Sequence, residues 1–122
     1  FFKHKKFLKN FENRGSGIYG TMMTYHTDTP TNCGIIEKNK DGIITKYHEK
    51  IKNPPSNLAN GAVYILSREF LNVILKEKEA FDFSKDIVGK YYKKFNTYYN
   101  DIYHRDIGTV ESFAIAQLCD YL

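Results

Sequence analysis

The run Gly61-Ala62-Val63-Tyr64-Ile65-Leu66, followed at once by Ser67, decides how the rest of the chain is read. It is short and nearly continuous in apolar residues, the pattern of a central buried strand. Ser67 is of a type that caps helices, and Phe70, Leu71, Ile74 and Leu75 follow at helical spacing. A strand feeding a helix is the step from which α/β folds are built. Downstream, Ser84 is placed to cap another helix, with Ile87, Val88, Tyr91 and Tyr92 inward. Residues 96–104 read as extended with a bend near Asn100-Asp101. A last helix is expected from Thr109, with Val110, Phe113, Ala114, Gln117 and Leu118 on one side.

Upstream, Gly34-Ile35-Ile36-Glu37 and Ile43-Ile44-Thr45-Lys46-Tyr47 flank Asn39-Lys40-Asp41-Gly42. Asp-Gly between two apolar runs is a strong hairpin signal. Lys52-Asn53-Pro54-Pro55-Ser56-Asn57 is a surface loop. Residues 17–26 read as a strand and residues 27–32, with Asp28 and Pro30, as a loop. Residues 3–13 read as a helix on Phe7, Leu8 and Phe11, with Gly15 placed to end it. Strands and helices therefore alternate around one inserted hairpin, which predicts an α/β mixed sheet with helices on its faces. The first helix precedes the first strand, and the chain opens on Phe1-Phe2 without an initiator Met. Both features read as a piece of something longer, with an N-terminal part missing.

At 122 residues and 42% hydrophobic, the chain has one core's worth of apolar residues, so residues 1–122 are read as part of one domain. An aromatic content of 16% argues against disorder. The net charge of +4 suits anionic ligands. It does not demand nucleic acid, since the aromatics fall on apolar faces where core packing explains them. The cluster Lys3-His4-Lys5-Lys6 reads as a solvated helix face. Cys33 and Cys119 lack metal-ligand spacing and read as reduced thiols of a cytoplasmic protein. No apolar run is long enough to cross a bilayer and no signal peptide is present, so no membrane partner is expected.

Chemistry is sought where polar residues meet strand ends, because ligands of open α/β sheets gather there. Cys33-Gly34 enters the hairpin, and a glycine there admits a ligand or serves as an ordinary turn or bulge. His48-Glu49-Lys50 ends the hairpin's second strand. A carboxylate can accept bonds from sugar hydroxyls and an ammonium can meet a phosphate, although both types are also common surface charges. Asn60 precedes the buried strand and offers both donor and acceptor. Asp106-Ile107-Gly108-Thr109 places a carboxylate before a helix, where it serves as a cap or as part of a metal site. No His-Glu-x-x-His, nucleophile elbow, Cys-x-x-Cys or phosphate-loop pattern occurs, so hydrolase and redox chemistry find no support.

The succession is more specific than its members. Thr27-Asp28-Thr29-Pro30, Cys33-Gly34-Ile35-Ile36-Glu37, Asp41-Gly42, His48-Glu49-Lys50, Asn57-Leu58-Ala59-Asn60-Gly61-Ala62-Val63-Tyr64 and Asp106-Ile107-Gly108-Thr109, with Ser112 and Ala116, follow in order. This order resembles the second half of the sugar-1-phosphate nucleotidyltransferases, and within them most the hexose- and heptose-1-phosphate guanylyltransferases. The resemblance runs from residue 21 to residue 117. It implies a Rossmann-like sheet of the nucleotide-diphospho-sugar transferase type. It also implies transfer of a nucleotidyl group, from GTP in the guanylyl branch, to a sugar 1-phosphate with release of pyrophosphate, in nucleotide-sugar synthesis.

By the same resemblance, Glu49 would hold sugar hydroxyls and Lys50 the sugar phosphate. Gly34 and Asn60 would line the sugar pocket, and Asp106 would be one of two aspartates on Mg²⁺. The family usually has Pro after the Glu-Lys pair, where this chain has Ile51. Its glycine-rich nucleotide loop and second metal-binding aspartate would lie upstream of Phe1. The implied partners are a sugar 1-phosphate and a nucleoside triphosphate, with homo-oligomerisation or pairing with the missing N-terminal part as further expectations. The chain by itself is expected to be inactive. The alternative is a non-catalytic module that binds a sugar phosphate or pairs with another subunit.

Overall fold

The computed structural model describes residues 4–79 and 82–101. Five strands, β1 (Gly20–His26), β2 (Gly34–Lys38), β3 (Ile44–Glu49), β4 (Leu58–Leu66) and β5 (Phe95–Tyr99), form one sheet in the order β3-β2-β4-β1-β5. β1 and β5 run parallel, and the other neighbours are antiparallel. This is the mixed α/β sheet that the alternation of elements predicts. The sheet curls until Ile43, at the tip of the hairpin, bridges Asn96 on the opposite edge. The Thr97 hydroxyl fastens this contact by donating to the Gly42 carbonyl at 2.8 Å.

Helix α1 (His4–Glu12) covers one face of the sheet. Its Phe7 is buried with Met23 and Tyr98. On the other face lie α2 (Arg68–Ile74) and a π-helical stretch, Phe83–Val88, that runs directly into the single turn α3 (Gly89–Tyr91). The larger core forms there, from Met22, Ile36, Ile44, Phe70, Ile87, Val88 and Phe95. Phe70 is at its centre, with ring centroids 5.3 Å from Tyr19, 5.4 Å from Tyr91 and 5.5 Å from Phe95.

Ser67 caps α2 as its sequence position predicts: its hydroxyl accepts from the Phe70 N–H at 3.1 Å. Ser67→Ala should lower unfolding stability by about 1 kcal/mol, read from urea melts, with no change in fold. The hairpin also forms as expected. Asn39 Oδ1 accepts from the N–H groups of Asp41 and Ile43, each at 3.0 Å, and Gly42 takes φ +80°, a region open to glycine at no steric cost.

Three expectations change. β1 begins at Gly20 rather than 17, because residues 15–18 close a turn in which the Ile18 N–H donates to the Gly15 carbonyl at 3.2 Å. Ser84 is not a helix cap. Asp82 caps the π-helical stretch by accepting from the Lys85 N–H at 3.1 Å, and Asp86 accepts from the Asp82 N–H at 2.9 Å. Aspartate is as good an N-cap as serine.

Finally, β4 is central in the sheet but only half-buried over Val63 to Leu66, with Ala62 exposed. The strand bulges there. While β1 passes from Met22 to Thr24, β4 passes from Tyr64 to Asn60, and Ala62 takes φ +58°. Gly61 permits this because a Cβ on it would meet Met23 Cε at 2.4 Å. Among the described residues no helix is long and apolar enough to cross a membrane. The expected helix from Thr109 lies outside the described residues.

Candidate functional site

The end of β3, the bulge of β4 and the π-helical stretch meet at one polar cluster. Tyr47 and Glu49 lie two apart on β3, so their side chains share a face of the sheet. The Tyr47 hydroxyl donates to Glu49 Oε2 at 2.6 Å. Ser84 arrives from the π-helical stretch, its hydroxyl donating to the same Oε2 at 3.1 Å and lying close against the Tyr47 hydroxyl. Asn60 closes the cluster from β4. Its Nδ2 donates to the Tyr64 hydroxyl at 2.6 Å and lies 3.4 Å from Ser84 Oγ and 3.5 Å from the Tyr47 hydroxyl. Its Oδ1 accepts from the Ala62 N–H at 2.8 Å, which ties the amide to the bulge. The amide is thereby fixed in orientation, with its acceptor spent on backbone and its donors aimed at hydroxyls.

Both phenols titrate late. Burial, with Glu49 close by, raises Tyr47 far above the ordinary tyrosine value. Burial also pushes Tyr64 up to about 12, against the opposing effect of the Asn60 hydrogen bond. A tyrosine raised in the folded state stabilises fully below the unfolded value of about 10, and that stability is lost as pH climbs through the folded value. Stability should therefore fall between pH ~10 and ~12, and Tyr64→Phe should flatten that fall in thermal melts. An unchanged alkaline limb in the variant would show that Tyr64 ionises as freely folded as unfolded.

The structure brings Glu49 and Asn60 together through Tyr47 and Ser84. Gly34 is adjacent, paired across the hairpin with Glu49. The space a Cβ on Gly34 would take is already filled, since the Tyr47 hydroxyl lies 2.1 Å from that position. Gly34 thus makes room for the phenol that holds Glu49. Lys50 stands apart from the cluster. It is exposed, its φ of +51° is in the left-handed region, and its N–H donates to the Cys33 carbonyl at 3.1 Å. A non-glycine residue there costs roughly 1–3 kcal/mol, and such residues concentrate at functional sites. The conformation turns the chain at the end of β3, just past Glu49.

Sequence reading missed Tyr47, Ser84 and Tyr64 as members of the site. Asp106 lies outside the described residues. Among the described residues no group of three His, Cys, Asp or Glu side chains could hold a metal ion. His48, next to Glu49, is engaged elsewhere, with its Nε2 2.8 Å from Glu37 Oε2 across the hairpin.

The fold is thus a mixed α/β sheet on which β3, β4 and the π-helical stretch gather a carboxylate, an amide and three hydroxyls. The chain belongs to the nucleotidyl transferase family, which it matches over residues 2–120. It is 32% identical to a glucose-1-phosphate adenylyltransferase of Bacillus subtilis, over 77% of this chain and 31% of that protein. It is 34% identical to the enzyme of the same name from Thermotoga neapolitana, over 84% of this chain and 27% of that protein. A Bacillus anthracis structure assigned as a glucose-1-phosphate thymidylyltransferase, in complex with a sucrose, shares the fold with a TM-score of 0.78 at 18% identity. That likeness covers 94% of this chain and 48% of the other. The resemblance to sugar-1-phosphate nucleotidyltransferases drawn from the motif order therefore holds. The chain spans under a third of the length of these curated relatives.

Proposed function

We propose that the protein carrying this chain transfers a nucleotidyl group from a nucleoside triphosphate to a sugar 1-phosphate. The observation that carries this reading is the meeting of Glu49 and Asn60. They come from different strands and share hydroxyl partners, in a chain of the nucleotidyl transferase family. Oriented carboxylate and amide groups among hydroxyls suit a polyol, each group offering a complementary donor or acceptor.

In this reading Glu49 and Asn60 hold sugar hydroxyls, Gly34 lies against the pocket wall, and Lys50 meets the sugar phosphate. A phosphate oxygen of the sugar 1-phosphate attacks the α-phosphorus of the triphosphate, one P–O bond forms, and pyrophosphate leaves with the electrons of the bond that breaks. The residues of this chain contribute by positioning the attacking phosphate and neutralising its charge. Mg²⁺, which Asp106 would hold together with a second aspartate and the phosphates, would neutralise charge on the triphosphate.

The motif order favours GTP, whereas the relatives are adenylyltransferases, which favours ATP. Pyrophosphate release by the complete gene product, assayed with ATP, GTP, TTP and UTP against glucose and mannose 1-phosphates, tests the reading. Turnover with at least one pair is expected, and one base is expected to win by a wide margin. No release with any pair would overturn the enzyme reading in favour of a non-catalytic sugar-phosphate-binding or subunit-pairing module.

A further inference from the structure

We infer that Tyr47 and Ser84 are positioning residues for Glu49, holding one carboxylate oxygen so that the other is presented to the sugar. This inference rests on the sugar-site reading of Glu49 above and adds to it how the carboxylate is aimed.

Both hydrogen bonds to Glu49 fall on the same atom. Tyr47 donates to Oε2 at 2.6 Å and Ser84 to Oε2 at 3.1 Å, while Oε1 has no hydrogen-bond partner among the described residues. A glutamate side chain is among the most costly to order on binding, because its several torsions must all be fixed. Two donors from different elements, a strand and a π-helical stretch, fix those torsions before the ligand arrives. Preorganisation of this kind strengthens binding without adding a contact. One oxygen saturated and one left open gives the site a single acceptor of defined direction.

The surroundings favour this role over plain core packing. A phenylalanine ring would fill the place of Tyr47 equally well, yet the hydroxyl is half-buried against Glu49, Ser84 and the vacant Cβ position of Gly34. The phenol stays protonated far above neutral pH, so it remains a donor wherever the protein works. Ser84 is likewise released from capping, because Asp82 fills that role. Its hydroxyl is free to turn onto the sheet. π-helical turns of this type recur at functional sites.

The test uses the complete gene product and whichever of glucose and mannose 1-phosphate it turns over faster. Tyr47→Phe and Ser84→Ala should each raise the KM for the sugar phosphate about three- to tenfold, with kcat and the triphosphate KM within about twofold. Because both act through Glu49, adding Tyr47→Phe to Glu49→Gln should change the sugar-phosphate KM by less than about twofold. Thermal melts confirm folding, and Ser84→Ala provides a second, independent variant should the Tyr47 change disturb the core.

If Glu49→Gln raises the sugar-phosphate KM while Tyr47→Phe and Ser84→Ala leave it alone, the inference is overturned and the sugar-site reading stands. Equally, full multiplication of the Tyr47→Phe and Glu49→Gln effects would show that Tyr47 does not act through the carboxylate. A silent Glu49→Gln would overturn the sugar-site reading itself, and this inference with it.

Discussion

In the complete protein, Asp106→Asn should lower kcat on the order of a hundredfold or more at limiting Mg²⁺ while changing sugar-phosphate binding by much less. The amide keeps the shape of the carboxylate and removes its charge. A metal ligand does its work by stabilising charge that builds up during transfer, so the loss falls on turnover. Raising Mg²⁺ should restore part of the rate, because weakened ion binding is then offset by mass action. Initial rates across a Mg²⁺ titration check this. A variant turning over at near wild-type rate at limiting Mg²⁺ would remove Asp106 from the metal site.

Glu49→Gln should raise the KM for the sugar 1-phosphate roughly tenfold to a hundredfold, and leave the KM for the triphosphate nearly unchanged. The range follows from a charge-assisted hydrogen bond, worth about 1.5–3 kcal/mol, at about 1.4 kcal/mol for each factor of ten. The amide keeps the size of the carboxylate and removes its charge, so the sugar loses its charged acceptor and Tyr47 and Ser84 no longer have a carboxylate to aim. Lys50→Ala should raise the same KM and also lower kcat, since its proposed role is to meet the phosphate whose oxygen attacks. Exposed charges without a ligand would change neither constant measurably. Steady-state kinetics with each substrate varied in turn separates these outcomes.

What the sequence shows and what it hides differ in range. The hairpin at Asn39 to Gly42 was legible because its signals are local: an asparagine that bonds its own backbone and a glycine able to take positive φ. The cap at Ser67 was legible for the same reason. Glu49 and Asn60 could be named as candidates from their place at strand ends and the order of the surrounding motifs. Their meeting depends on the register that sets Gly34 against Glu49 and on the bulge at Gly61, neither of which local propensity reports.

Tyr47 carried a usable signal, since residues two apart on a strand share a face and Glu49 was already a candidate. Ser84 carried a misleading one. A serine ahead of an apolar helical pattern reads as a cap, and only the aspartates at positions 82 and 86 closing the same turn release it. The run from Gly61 to Leu66 looked fully buried because apolar content is blind to a bulge. With Ala62 in the left-handed region the strand leaves its regular pleat, and Asn60 is held in place by the turn that results.

The measurement that bears most directly on the sugar site is a crystal structure of the complete protein with the sugar 1-phosphate it turns over. The expected density places sugar hydroxyls within hydrogen-bond distance of Glu49 Oε1 and close to Asn60, with the phosphate toward Lys50 and the Tyr47–Glu49 contact intact. Sugar density elsewhere, with Glu49 and Asn60 touching only protein, would contradict the account and leave their cluster a structural brace between β3, β4 and the π-helical stretch.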